Sequence, residues 1–340
     1  MSLLKYKKFT SVNDVADINA LVEKALAYKA NPLRDAALGA GKRIGLLFLN
    51  PSLRTRLSTQ IAASNLGMEA IVFNVDKEGW QLEFAEGAVM NGSKSEHIKD
   101  AAPILGSYFD VLCIRSFPTL TNRSEDYSEL FLTEFIKYCG CPVISMESAT
   151  RHPLQSLTDV ITITECLKPN AESKTQADKG VQHLAFGVKP KIVLTWAPHV
   201  KPLPQSVSNS FAEWINAWNG KGEFVIAYPE KYELAETFTK GATLTHNQAE
   251  ALQGADFVYV KNWSAYNDYG KILSNDMSWM LTLDKLKQTN NARVMHCLPV
   301  RRNVELSDEI LDSANSITTQ EAGNRVWAAQ AVISELLSNK

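Results

Sequence analysis

Ser52-Leu53-Arg54-Thr55-Arg56 concentrates two guanidiniums and two hydroxyls within five residues. An apolar run of strand length ends just before it at Asn50-Pro51, and an amphipathic pattern follows as far as Gly67. Ser52 stands where a helix N-cap would stand, and Gly67 where a helix stops. The N–H groups of a first turn are unpaired and the helix dipole is positive there, so such a terminus attracts anions. Two arginines oppose that dipole by a few tenths to about 1 kcal/mol each, so helix stability does not account for them. Either a bound anion does, or the arginines pair with nearby carboxylates.

Three more stretches carry reactive groups. His152-Pro-Leu-Gln155 sets an imidazole and an amide three residues apart at a helix start, where both can face one ligand. A carbonyl bearing an amino group suits that pair, the ring donating to the oxygen and the Gln155 oxygen accepting from NH2; local backbone capping is the alternative. Arg115 ends an apolar run, as a phosphate clamp or as an ion-pair partner of Glu147. His296-Cys297-Leu298-Pro299 ends another, with a thiol that is either buried and inert or activated by Arg301 and Arg302.

These residues need a scaffold, and the chain supplies one in its alternation of short apolar runs with helical patterns, the βα alternation of mostly parallel sheets. Strands are expected at Ile44–Leu49, Ala70–Phe73, Val111–Arg115 and Val143–Met146. A second series runs through Lys191–Thr195, Phe224–Ala227, Ala242–Thr245, Phe257–Val260 and Arg293–His296, with a further candidate at Ser316–Thr319. Helices are expected at Val15–Tyr28, Leu53–Leu66, Ser95–Tyr108, Ser128–Tyr138, Leu154–Leu167, Gln205–Trp218, Tyr232–Thr239, Gln248–Gln253 and Glu321–Leu337. The fold class is therefore α/β, two doubly wound domains with mostly parallel central sheets and a C-terminal helix crossing back to the first. The first domain covers 1–150 completed by 321–340, and the second 151–320. The polar stretch 168–180 reads as a surface insertion or linker. In such sheets ligands sit beyond the carboxyl ends of the strands. Those ends here deliver Ser52 to Arg56, Arg115, Glu147, His199, Lys261 and the His296–Arg302 run.

Composition narrows the partners. The 340 residues exceed what one core usually organises. A formal charge of -2 argues against nucleic acid, and no run reaches the roughly 18 apolar residues of a membrane span. The N-terminus lacks a long apolar core after its lysines, so a cytoplasmic location is expected. Five cysteines without paired CxxC units read as reduced thiols, and no metal site is expected. No GxGxxG or GxxxxGK[ST] is present, so a small phosphorylated substrate gripped by arginines fits better than a nucleotide.

In this order, Ser52-Leu-Arg-Thr-Arg56, His152-Pro-Leu-Gln155 and His296-Cys-Leu-Pro299 resemble the motifs of the aspartate and ornithine carbamoyltransferases. HCLP, rather than HPLPR, resembles the ornithine side. The Asp followed by Ser-Met-Gly with which ornithine enzymes grip the free α-amino group is not visible; Thr195-Trp-Ala-Pro-His199 and its neighbours stand there instead. Glu83–His97 resembles the loop that the N-acylornithine branch extends to a neighbouring subunit. Resemblance thus implies carbamoyl transfer from carbamoyl phosphate to an N2-acylornithine in arginine biosynthesis, without cofactor or metal, by a homotrimer. It implies that Ser52, Leu53, Arg54, Thr55, Arg115, His152, Gln155, Cys297, Leu298 and Arg325 surround carbamoyl phosphate, with Trp80 joining from the adjacent subunit. Arg54, Thr55, His152 and Cys297 take the catalytic positions.

For the acceptor, the resemblance implies contacts from Glu147, His199, Lys261 and Arg301, with Phe117 near the acyl chain. Glu305 departs from the family, since an acetylornithine enzyme of the group has a carboxylatable lysine there. Ser95 stands at the loop position where a glutamate accompanies acetylornithine and a small residue leaves room for the second carboxylate of succinate. The implied acceptor is N2-succinylornithine, with N2-acetylornithine, free ornithine or a non-catalytic anion-binding role as the alternatives. Ser95 also suits a helix N-cap.

Overall fold

A computed structural model of the chain describes residues 2–79, 81–168 and 189–338. Two compact units emerge: Met1–Leu157 with Arg325–Lys340, and Thr158–Asn324. Trp80 and most of the polar stretch expected to be an insertion, 169–180, lie outside the described residues.

The first unit is built on a five-stranded parallel sheet of β1 (Lys8–Phe9), β2 (Arg43–Phe48), β3 (Glu69–Asn74), β6 (Val111–Arg115) and β7 (Val143–Glu147), in the order β1-β7-β6-β2-β3. Every residue of β6 and β7 is buried, as parallel strands covered on both faces require. Leu47, Leu112, Ile114 and Val143 from these strands pack with Ile98 and Ala102 of helix Ile98–Tyr108 and Leu132 and Phe135 of helix Leu130–Tyr138. A small parallel pair, β4 (Leu82–Glu83) with β5 (Glu96–His97), stands apart from this sheet.

Helix Leu53–Asn65 follows β2 and stops as its sequence dictates. Gly67 takes φ 80°, its N–H reaches Ser64 O at 2.9 Å, and the Met68 N–H reaches Ala63 O at 3.0 Å, a Schellman closure. A Cβ at Gly67 would also lie 2.1 Å from Ala36 O, so only glycine fits. The C-terminal part of helix Thr318–Ser338 completes this unit: Gln330 bonds Pro32 O and Asn65, while Glu335 receives Lys24 Nζ at 2.5 Å and the Leu3 N–H at 3.0 Å.

The second unit repeats the plan with β8 (Lys191–Trp196), β9 (Glu223–Ala227), β10 (Thr243–Thr245), β11 (Phe257–Lys261) and β12 (Arg293–Met295), all parallel in the order β10-β9-β8-β11-β12. Trp196 Nε1 donates to Trp263 O and Trp263 Nε1 to Tyr232 O, so both buried indoles are satisfied.

Several elements depart from the sequence expectation. Ser316 makes only an isolated bridge to Val294, and the helix begins at Thr318, so Ser316–Thr319 is not a strand. Tyr232–Thr239 is helical only over Glu236–Thr239, because the Tyr232 hydroxyl is committed to the N–H groups of Leu273 and Ser274 and its backbone to a turn with Pro229. The helix expected from Ser95 starts at Ile98, and His97 is its cap, Nδ1 accepting the Lys99 N–H at 3.1 Å. Ser128 ends a short helix, Arg123–Ser128, and left-handed Glu129 separates it from Leu130–Tyr138.

Candidate active site

In the first unit the reactive residues lie at the carboxyl ends of adjacent strands. Ser52 follows β2 and caps helix Leu53–Asn65 with extended backbone, its hydroxyl making no capping bond. Thr55, in the first turn, is buried; Arg54 is half-buried, and Arg56 is exposed. The two arginines of the motif are thus separated by environment. Leu53 is 70% exposed in this chain, so only its backbone serves the helix terminus.

Arg115 is the last residue of β6 and Glu147 the last of β7. Arg115 Nη1 donates to Glu147 Oε2, whose oxygen also lies 3.5 Å from His152 Nε2, and all three side chains are buried. Among the described residues, Arg115 Nε is buried and has no hydrogen-bond partner. A buried donor left unpaired costs about 1–3 kcal/mol, which an anion oxygen would recover. The Arg115 guanidinium carbon stands 4.4 Å from the centre of the Phe117 ring, and Asn50 Oδ1 receives the Phe117 N–H at 2.9 Å.

Pro153 opens the helix Pro153–Leu167, with its fixed φ suited to a first turn. That start sets His152 and Gln155 on one buried turn. Arg325 Nη1 donates to Gln155 Oε1 at 2.5 Å and Nη2 to Thr55 Oγ1 at 2.6 Å. The oxygen that the sequence offers to a carbamoyl NH2 thus accepts from the Arg325 guanidinium.

The second unit gathers another group beyond its own strand ends. Lys261 ends β11 and is buried. Arg301 Nε donates to His199 Nε2 at 3.1 Å, so the His199 proton is on Nδ1, 2.8 Å from the Lys201 carbonyl it donates to. Burial lowers the pKa of His199 despite the Lys201 carbonyl, with Lys261 and Arg301 acting in the same direction as burial. His199 is thus a neutral acceptor for Arg301.

Cys297 is buried two residues past β12, beside Tyr259 of β11, whose hydroxyl is kept protonated by burial. The neighbouring His296 ring is fixed from both sides: Nδ1 accepts the Leu298 N–H at 2.9 Å and Nε2 donates to Glu305 Oε1 at 3.3 Å. Leu298 takes the left-handed backbone, φ 55°, within that closure. Burial pushes the Glu305 carboxyl up, but the His296 bond, Lys261 and the Arg301 N–H outweigh it and bring the pKa to about 2.

Ser95 lies exposed between β4 and β5, its N–H bonded to Gln81 O at 3.1 Å. Glu147, expected beside the acceptor, is bound to Arg115 and adjoins His152. Residues absent from the sequence motifs also contribute: Glu305 braces His296, and Glu129 braces the turn before His152. Among the described residues no cluster of three His, Cys, Asp or Glu side chains could hold a metal, and no helix is long and apolar enough to cross a membrane.

Two parallel α/β units, the first with an arginine-lined helix terminus at its strand ends, define a transferase of the carbamoyltransferase type. The model of the aspartate/ornithine carbamoyltransferase carbamoyl-P binding domain matches residues 7–165, and that of the Asp/Orn binding domain matches residues 205–336. The chain belongs to the aspartate/ornithine carbamoyltransferase family and is a carbamoyltransferase. It is 45% identical to the N-succinylornithine carbamoyltransferase of Bacteroides fragilis, over 98% of this chain and 99% of that one. It is 35% identical to the N-acetylornithine carbamoyltransferase of Xylella fastidiosa, again over 98% and 99%. A glutamate-to-serine variant of N-acetyl-L-ornithine transcarbamylase, crystallised with carbamyl phosphate and N-succinyl-L-norvaline, matches with a TM-score of 0.84 at 33% identity, covering 97% of this chain and 99% of that one.

Proposed function

We propose that this carbamoyltransferase moves the carbamoyl group of carbamoyl phosphate to the δ-amine of N2-succinylornithine, giving N2-succinylcitrulline and phosphate in arginine biosynthesis. The carrying observation is two buried groups in the first unit, Arg115 with Glu147 and His152, and Thr55 of the helix that starts after Ser52 with Arg325 and Gln155. The δ-amine must attack as the neutral base, and the proton it gives up as the C–N bond forms leaves on the departing phosphate as hydrogen phosphate. Arg54, Thr55 and His152 polarise the carbamoyl oxygen, stabilising the charge of the tetrahedral intermediate. The C–O bond to phosphate then breaks, and Ser52, Arg54, Thr55, Arg115 and Arg325 hold the departing dianion with the terminus N–H groups. Leu53 contributes backbone only, and Leu298 borders the carbamoyl group. Cys297 positions the amine and forms no covalent intermediate.

Glu147, His199, Lys261 and Arg301 are the acceptor's contacts in this reading, with Phe117 against the acyl chain. Arg301 and Lys261 are cations suited to a carboxylate, and neutral His199 aims the Arg301 fork. The enzyme works as a cytoplasmic homotrimer in which Trp80 and Ser95 reach a neighbouring active site.

Succinyl over acetyl rests on Ser95. A glutamate at that loop position would set a second negative charge near the succinyl carboxylate. Two such charges about 6 Å apart repel by about 3 kcal/mol at an effective dielectric of about 20. The solved relative with glutamate changed to serine, seen with a succinyl analogue, supports this reading. Citrulline formation from carbamoyl phosphate with succinylornithine, acetylornithine and ornithine, each alone, tests the proposal. Highest kcat/KM with succinylornithine is expected, and no citrulline from any of the three would reject it.

A further inference from the structure

Glu129 belongs to none of the motifs and lies on the connection between two helices, Arg123–Ser128 and Leu130–Tyr138. Its backbone is left-handed, φ 48°, a conformation that a non-glycine side chain adopts when its surroundings hold it there. The side chain shows what holds it. Oε1 accepts from Ser148 Oγ, from the Thr150 N–H at 2.9 Å and from Thr150 Oγ1 at 2.6 Å.

Ser148 and Thr150 are buried and belong to one closed turn, in which the Ser148 N–H reaches Arg151 O at 2.7 Å and the Arg151 N–H reaches Ser148 Oγ at 3.1 Å. The turn is flanked by two residues of the candidate site. Glu147, which receives Arg115, immediately precedes it, and His152 immediately follows. The turn thus joins Glu147 to His152, whose Nε2 lies 3.5 Å from Glu147 Oε2.

We propose that Glu129 is a positioning residue for carbamoyl transfer: its carboxylate fixes the Ser148–Arg151 turn and so places His152 against Glu147 and the reacting carbonyl. The proposal rests on the reading above only in giving His152 the carbonyl oxygen. All three donors meet the same oxygen, so what matters is an acceptor at Oε1 rather than a charge. A displacement of about 1 Å at a polarising group is enough to cost about 100-fold in rate.

Glu129→Gly and Glu129→Gln separate this from general support of the fold. Glycine suits φ 48° and removes the acceptor, whereas glutamine keeps an oxygen at the same place. The glycine variant is expected to melt cooperatively and to lose at least about 30-fold in kcat, with KM for succinylornithine within about twofold of wild type. Glutamine should restore kcat to within about threefold. A glycine variant with wild-type kcat, or a glutamine variant as slow as glycine, would overturn the proposal. Should the glycine variant not fold, Thr150→Val removes one donor and carries the same test: a fall of at least about fivefold is expected, and wild-type kcat overturns it.

The ring 15N resonances of His152, assigned by their loss in His152→Asn, give a reading without substrate. They should shift in Glu129→Gly and return in Glu129→Gln, and unmoved resonances would contradict the proposal. Absence of transfer by the wild-type enzyme would instead reject the assigned reaction and leave this measurement decisive for Glu129.

Discussion

Arg325 donates from Nη1 to Gln155 at 2.5 Å, and its second amino group reaches Thr55 at 2.6 Å. One guanidinium near the chain's end thereby ties the two motifs of the first unit together. Arg325→Ala leaves Thr55 and Gln155 without that charged donor. The variant should unfold about 1–3 kcal/mol more readily in urea titrations and show a KM for carbamoyl phosphate raised at least about tenfold.

Arg54 is half-buried in the first turn, while Arg56 is exposed, so their replacement separates anion binding from surface charge. Arg54→Ala should retain the wild-type melting midpoint and lose about 100-fold or more in kcat/KM for carbamoyl phosphate. Arg56→Ala should stay within about fivefold. Steady-state kinetics with carbamoyl phosphate varied checks both, and near-wild-type turnover by Arg54→Ala would remove its assigned role.

His199 and Glu305 should report in different pH windows. The folded pKa of His199 is lowered by burial, so the unfolded chain takes up the proton first. Its contribution to stability is complete above the unfolded value of about 6.5 and declines as pH falls below it. Glu305 is depressed to about 2, so its contribution is present above about 4.5 and is lost as pH drops toward 2. Urea titrations at pH 7.5 and 5.5 should show His199→Gln losing less stability than wild type over that step. Between pH 4.5 and 3, Glu305→Gln should be the variant with the flatter profile.

The large features of the fold are legible because parallel strands covered on both faces leave uninterrupted apolar runs. Val111–Arg115, Val143–Glu147 and Phe257–Lys261 are buried throughout, and each expected strand falls on them within a residue. The strand-end rule then leads to Arg115, Glu147 and Lys261, the last residues of those strands. β1 escapes notice because two residues, Lys8 and Phe9, owe their state to pairing with β7, more than a hundred residues away. Glu129 is hidden for a related reason: its conformation is fixed by Ser148 and Thr150, which no local pattern connects to it. Ser95 looks like a helix cap by composition, yet His97 caps the helix because its ring reaches the Lys99 N–H after β5 has ended.

Ser95 is exposed in the loop between β4 and β5, so a substitution there should leave the fold intact. Ser95→Glu is expected to lower kcat/KM for succinylornithine by about 100-fold and to change that for acetylornithine by far less, since only the former carries the second carboxylate. Paired substrate kinetics check it. An unchanged ratio would remove the electrostatic basis of the acyl preference.

Competition is the most direct test of the reaction itself. The enzyme, with limiting carbamoyl phosphate and equal concentrations of N2-succinylornithine, N2-acetylornithine and ornithine, would be sampled early and the three citrullines resolved by mass spectrometry. N2-Succinylcitrulline is expected as the dominant product, with one phosphate released for each. Dominant N2-acetylcitrulline or citrulline would contradict the assigned acceptor, and phosphate release without any citrulline would contradict carbamoyl transfer.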